Sequence, residues 1–384
     1  MTEKLYYLDS YISEFRARVL ECNRLENAYE VILDRTAFFP EEGGQTSDNG
    51  FIGDARVLHV REENGVVIHT VQSAPTENEV LCKIDFYERL EKMQCHSAEH
   101  ILCGIIHRLY GYENVGFHLN AEEVVFDVSG ILCQEQLDKV EAMANEAVFA
   151  NLKVETSFPS DEELKGIEYR SKAEIRENVR LVKIGDVDIC ACCAPHVRMT
   201  GEIGLIKILD YMKHRGGTRI RMVAGARALR DYNLKYANIK RISAILSAPQ
   251  HQTADILEKY VSDAEALRGE LKRCRISLAE NLGKEFMPEG ENAVVLLKGF
   301  GMDELRAFSN CARHRVSGIL TAISEKDVGF QYIISSDSTD LSALSQRINR
   351  DLNGRGGGKK NMISGSFLAE YSAVEDYFIN KKYL

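Results

Sequence analysis

From Leu229 onward the chain carries an apolar seam that only long helices can use. Leu229, Tyr232, Tyr236, Ile239, Ser243 and Leu246 recur at alternating steps of three and four. After Pro249, Leu257, Tyr260, Ala264, Leu267, Leu271, Cys274 and Leu278 repeat the rhythm. That spacing lines one face of a helix and cannot line one face of a strand. A proline interrupts a helix, so residues 229–287 are expected to form a helical hairpin or short coiled coil.

The seam separates two differently patterned regions. Residues 1–88 read as β-rich: YEVILDRTAFFP and ARVLHVREENGVVIHTV are short β-branched and aromatic runs divided by EEGG, DNG and ENG turns. Residues 89–228 mix helices with strands. RLEKMQCHSAEHILCGIIHRLY and ILCQEQLDKVEAMANEAVFANL have helical spacing; GFHLNAEEVVFDVSG reads as strand–turn–strand. Past Pro288 and Gly290, residues 288–384 alternate strand-like and helical segments, as a small α/β domain would. The fold class expected is therefore a multidomain α/β and α+β protein.

Composition narrows the function. The N-terminus has no basic stretch followed by an apolar one, and no apolar run approaches the roughly 18–20 residues of a membrane span. A cytoplasmic protein with reduced thiols is expected, so the ten cysteines are not read as a disulfide framework. Net charge is −10, which disfavours non-specific nucleic-acid binding, but the charge is uneven. Residues 201–241 hold ten Lys/Arg against three Asp/Glu, including Lys213, Arg215, Arg219 and Arg221. A second basic stretch, RINRDLNGRGGGKK, contains Arg355, Lys359 and Lys360 around a Gly-rich loop at 354–358. Both are candidate phosphate-contacting surfaces.

The chemistry concentrates in two short motifs. HSAEH places His96 and His100 one turn apart on a single helix face, where two imidazoles can grip one cation. Ser97 follows His96, so the motif is not that of the metalloproteases, and Glu99 projects away from the pair. ICACCAPH supplies Cys192 and His196, with Cys190 and Cys193 as alternatives. Three histidines and one cysteine make a tetrahedral set suited to one zinc ion. A third element, the loop DRTAFFPEEGGQTSDNG, sets Gln45 behind two glycines at a tight turn.

DRTAFFPEEGGQTSDNG, HSAEHIL, CCAPHVRMTGEIG and RIRMVAGARAL, in that order, resemble the editing domain of alanyl-tRNA synthetase. GRGGGKKNMISGS resembles the glycine-rich signature of that enzyme's C-terminal domain, shared with DHH phosphoesterases. The chain is thus similar to free-standing alanyl-tRNA editing proteins of the long AlaX type. The resemblance implies a small N-terminal β-barrel (1–88), a zinc-binding α+β editing core (89–228), the coiled coil (229–287) and a DHH-associated C-terminal domain (288–384). It implies one zinc ion on His96, His100, Cys192 and His196, with Thr36 sensing a serine hydroxyl and Gln45 beside the reacting group. The activity implied is hydrolysis of serine or glycine from mischarged tRNA(Ala) at its acceptor end, without aminoacylation.

The motifs also depart from the synthetase pattern. Cys192-Cys193-Ala194-Pro195-His196 stands where Cys-Gly-Gly-Thr-His is usual, and Val125-Phe126-Asp127-Val128 where Arg-Phe-Asp-Phe is usual. Lys359-Lys360-Asn361-Met362 replaces a proline–acidic pair. The competing readings are a non-catalytic zinc-stabilised tRNA-binding module and a phosphoesterase; the latter lacks its Asp-His-His motif. Homodimerisation through the coiled coil or the C-terminal domain is left open by the residues.

Overall fold

Strand-forming residues dominate the opening of the chain, and in the computed structural model they pair accordingly. The structure describes residues 1–121, 124–171 and 179–383. It is mixed α/β and divides into two compact units, Met1–Lys240 and Arg241–Leu384.

The first unit begins with strands β1 (Glu3–Lys4), β2 (Glu14–Arg24), β3 (Tyr29–Leu33), β4 (Arg35–Thr36), β5 (Gly50–Ile52), β6 (Ala55–Glu63), β7 (Val66–Val71) and β8 (Glu79–Ile84). β1 pairs with β4, and the other six close into a barrel in the order β2-β3-β7-β6-β5-β8. β8 shows why: Val80, Cys82 and Ile84 face in while Glu79, Leu81 and Lys83 face out, the period-two pattern of a strand with one buried face.

Helix α1 (Phe86–Tyr110) leaves the barrel directly from β8. Asp85 caps its first turn, accepting from the Glu88 N–H, and Gly111 ends it in the left-handed conformation. Every residue from Cys95 to Ile106 is buried, so α1 runs through the middle of this unit. Around it lie strands β9 (Asn114–Leu119) and β10 (Val124–Val128), helix α2 (Gln134–Phe149), strand β11 (Val154–Ser157), the short helix α3 (Asp161–Leu164), and strands β12 (Leu181–Ile184), β13 (Asp188–Ala191), β14 (Ile206–His214) and β15 (Gly217–Ala224). These strands form a four-stranded sheet, β14-β15-β10-β9, and a three-stranded one, β11-β12-β13. The core here joins Met93, Ile101, Leu102 and Ile105 of α1 to Val140 and Ala144 of α2 and to Phe126, Ile220 and Met222 of the larger sheet. The strand–turn–strand reading of GFHLNAEEVVFDVSG corresponds to β9 and β10; Glu122 and Glu123 of its turn lie outside the described residues.

Helix α4 (Gly225–Leu246) reaches the boundary, and α5 (Thr253–Glu285) follows Pro249. The helices stand where the seam requires them. Among the seam residues, Leu229, Tyr232, Tyr236, Leu257, Tyr260, Leu267, Leu271 and Leu278 are all exposed. α5 instead buries Ala279 and Gly283, on the face that packs against α6 (Met302–Ala312). In the same unit, β16 (Ala293–Leu296), β17 (Leu320–Glu325), β18 (Phe330–Ser335), β19 (Gly354–Lys359) and β20 (Met362–Phe367) form one sheet in the order β16-β17-β18-β20-β19, with α7 (Leu341–Asp351) and α8 (Tyr371–Ile379).

One expectation is corrected here. The glycine run at 354–358 is not a loop; it lies in edge strand β19, paired from Gly354–Phe367 to Lys359–Met362. Glycine-rich composition signals a turn, but a continuous ladder to β20 satisfies the backbone and overrides that preference. No helix among the described residues is long and apolar enough to cross a membrane.

Candidate metal centre

Four side chains from two distant segments converge. His96 and His100 project from one face of α1; Cys192 and His196 come from the loop after β13, and the ligating atoms lie within 4.8 Å of one another. Cys192 Sγ is 3.6 Å from His96 Nε2 and 3.4 Å from His196 Nε2. Zinc–nitrogen and zinc–sulfur bonds of ordinary length at tetrahedral angles separate N from S by about 3.5 Å. The donor set therefore fits such an ion in identity and spacing.

Each imidazole is held from behind by its Nδ1. His96 Nδ1 meets Gln45 Oε1 at 2.8 Å, His100 Nδ1 meets Asp188 Oδ2 at 3.1 Å, and His196 Nδ1 meets Ser97 Oγ at 2.9 Å. Occupied Nδ1 atoms fix the tautomer that offers Nε2 to a metal. Burial drives His196 down to about 3, so it stays neutral. Burial alone would raise the Cys192 thiol, but His96, His100 and His196 surround it and hold it well below the ordinary thiol range. Burial instead lifts Cys190 and Cys193 above that range. Only Cys192 of the three is thus disposed to be the thiolate a metal requires.

The loop carrying Gln45 is pinned on both sides. Leu119 N–H donates to Gly44 O at 2.7 Å and Thr46 N–H donates to Leu119 O at 3.1 Å. A Cβ on Gly44 would stand 2.1 Å from Phe117 O, so only glycine permits this approach to β9. From the other side, buried Lys92 of α1 donates to Ser47 O at 2.6 Å, and buried Arg89 pairs with Asp48. The cysteine loop is held by Arg180, whose Nη1 donates to Cys192 O at 2.8 Å and Ala194 O at 3.0 Å. Ser10 Oγ donates to His196 O at 2.8 Å.

Thr36 is fully enclosed at the barrel. His69 Nδ1 is 3.1 Å from Val31 O, which can only accept, so Nδ1 carries the proton and Nε2 accepts. The Thr36 hydroxyl, 2.9 Å from that Nε2, is therefore the donor, and it also accepts from the Phe38 N–H at 3.1 Å. The basic candidates are distributed. Arg219 grips Asp127 at 2.7 and 2.8 Å and Arg221 pairs with Asp210, while Lys213 and Arg215 are exposed at the tip of the β14–β15 hairpin. Arg355, Lys359 and Lys360 are exposed on the second unit, along β19 and the turn after it.

Sequence reasoning missed the supporting residues: Ser97, Arg170, Arg180 and Asp188. Ser97 sits beside a ligand in HSAEH and gave a signal. The others lie on strands or loops with no spacing that ties them to the histidines. Glu99, set aside as a ligand, is buried and accepts from Asn114 and from Cys103.

Family models match at residues 179–221 (threonyl and alanyl tRNA synthetase second additional domain) and 10–86 (class II (A) tRNA synthetases). The alanyl-tRNA editing protein AlaX-L of Pyrococcus horikoshii is 27% identical over 99% of this chain and 98% of its own. Aarsd1-A of Xenopus laevis, also an alanyl-tRNA editing protein, is 26% identical over 93% of this chain and 92% of its own. The alanine–tRNA ligase of Halobacterium salinarum is 32% identical over 80% of this chain, which spans only 36% of that enzyme. The chain is thus similar to free-standing alanyl-tRNA editing proteins over nearly its whole length and to part of an alanine–tRNA ligase.

Proposed function

We propose that the chain is an aminoacyl-tRNA deacylase that removes serine, glycine or both from mischarged tRNA(Ala) by zinc-dependent ester hydrolysis. The observation that carries this reading is the convergence of His96, His100, Cys192 and His196, each imidazole backed at Nδ1, beside the loop that carries Gln45. A zinc ion held by these four would polarise an ester carbonyl or an attacking water when bound. The chain's own residues do the rest. Gln45 orients His96, and Ser97 orients His196. Thr36 selects the substrate: its proton is committed to His69, so it offers a lone pair that a serine hydroxyl can meet and an alanine methyl cannot. Because Thr36 is enclosed in the free chain, an entering serine must displace what covers it. Lys213, Arg215, Arg355, Lys359 and Lys360 supply phosphate contacts for the tRNA, and a tRNA substrate is consistent with a cytoplasmic protein.

The exposed seam of α5 is proposed to pair with a second copy. With Leu257, Ala264, Leu271 and Leu278 at position a, Asp263 and Glu270 fall at g, and Arg268 and Arg275 at e. A parallel, in-register pair sets Asp263 against Arg268 and Glu270 against Arg275 of the other copy; an antiparallel pair sets acid against acid. Arg275 also serves Glu304 in its own chain, so the Asp263–Arg268 pair is the cleaner determinant.

The test is ester loss from Ser-tRNA(Ala), Gly-tRNA(Ala) and Ala-tRNA(Ala), with and without a chelator. Loss of a mischarged species with Ala-tRNA(Ala) spared, abolished by chelation, is expected. Four protein ligands also suit a purely structural centre. If no species is deacylated and chelation unfolds the protein, the chain is a zinc-stabilised tRNA-binding module instead.

A further inference from the structure

The three imidazoles of the centre are not backed alike. His96 leans on an amide and His196 on a hydroxyl, both neutral, whereas His100 leans on a carboxylate. That carboxylate, Asp188, is itself held. Arg170 Nε donates to Oδ1 at 2.7 Å and Nη2 donates to Oδ2 at 2.9 Å. Both oxygens are thus engaged, Oδ2 by two donors, and Asp188 and Arg170 are buried. Although Asp188, Cys190 and His100 lie close enough to suggest a second metal group, Asp188 is turned toward its donors.

Asp188 reaches His100 only because of what is missing from α1. Gly104 stands one turn beyond His100, on the face that carries His96 and His100. A Cβ there would stand 2.6 Å from Val187 O and 2.8 Å from the Asp188 Cβ. Glycine in a helix interior is unfavourable relative to alanine, so its presence needs a packing reason, and the approach of β13 supplies one.

We infer that Asp188, fixed by Arg170 and admitted by Gly104, is a positioning residue that sets the affinity of the centre for its metal by holding His100 with Nε2 forward. The inference rests on the reading of His96, His100, Cys192 and His196 as a metal site. A carboxylate behind a ligating imidazole fixes its tautomer and strengthens it as a donor, and loss of such a partner typically weakens metal binding about 10–100-fold.

The experiment is zinc affinity of the full chain, measured by competition with a chromophoric chelator, beside the melting temperature of the metal-free protein. Asp188→Asn keeps shape and an acceptor oxygen but loses the charge and the two-pronged grip on Arg170. Its dissociation constant is expected to rise about 10–100-fold. Gly104→Ala is expected to shift affinity in the same direction while removing no polar group and favouring the helix. Affinities within twofold of wild type in both variants would overturn the inference. Should either variant not fold, the wild-type chain still decides. Zinc-loaded and 15N-histidine-labelled, it should show His100 metallated at Nε2 with its Nδ1 proton farthest downfield of the three; metallation at Nδ1 overturns the proposal. Wild-type protein that binds no zinc refutes the metal reading instead, a separate result.

Discussion

Two helices show how differently one chain can use helical periodicity. α1 has 25 residues and is buried on all sides over Cys95–Ile106, with Glu99 and the candidate ligands His96 and His100 inside. α5 is longer, at 33 residues, yet among its residues only Thr253, Ala279 and Gly283 are buried, and its apolar seam faces outward. Enclosed polar groups must each find a partner, so α1 fixes the positions of everything around it. An exposed apolar stripe demands only a complementary surface. The chemistry proposed for the first helix and the association proposed for the second follow from that difference.

Breaking either helix should leave the other's property intact. His100→Ala is expected to take bound zinc from one per chain to near none and to abolish deacylation, with oligomeric state unchanged; metal analysis, tRNA assays and sedimentation check the three together. A metal-free variant with full activity would end the catalytic reading. In α5, the double change Leu267→Asp and Leu271→Asp should weaken self-association about 1,000-fold, since it puts charge in place of two apolar anchors per chain, and should leave zinc content unchanged. The wild-type seam offers a finer test, because a parallel in-register pair brings Cys274 of both copies face to face. Mild oxidation should yield a covalent dimer that Cys274→Ala abolishes, and an antiparallel pair would not.

Enclosure has its own signature in the barrel. Burial lowers His69 from 6.5 to about 4. The unfolded chain therefore takes up this proton first as pH falls. The His69 contribution is complete above pH 6.5, shrinks through the window down to pH 4, and amounts to about 3 kcal/mol. His69→Gln should remove that part of the acid sensitivity, read as the difference between the two proteins' denaturant midpoints across the window. The smallest effect on selectivity is expected at Thr36→Val, where the one hydrogen bond proposed to the serine hydroxyl is lost together with the bonds to His69 and Phe38. Preference for serine over alanine esters should fall roughly tenfold with zinc retained; an unaltered ratio would make Thr36 purely structural.

Much of this was readable from residues. The i, i+4 histidines, the cysteine loop and the helices flanking Pro249 are local patterns, and local patterns survive folding. The site's support was not readable. Asp188 meets His100 across 88 residues and Ser97 meets His196 across 99, and neither distance leaves a mark in spacing. The seam's periodicity showed the helix and was silent about whether anything covers it. The Gly-rich strand β19 misled because propensity speaks for a residue alone, whereas its ladder to β20 belongs to the pair.

The bond from Ser10 to the carbonyl of His196 closes a span of 186 residues. On a ribosome adding about 5–20 residues per second, the two ends emerge roughly 10–40 s apart. The barrel needs nothing past Ile84 to pair its strands and can form during that interval. The ligand cluster cannot, because half of it has not yet been made. A nascent chain stalled before Cys192 would carry a folded barrel and a histidine pair without its counterpart, so capture of the proposed ion would wait until translation had passed His196, within the first unit.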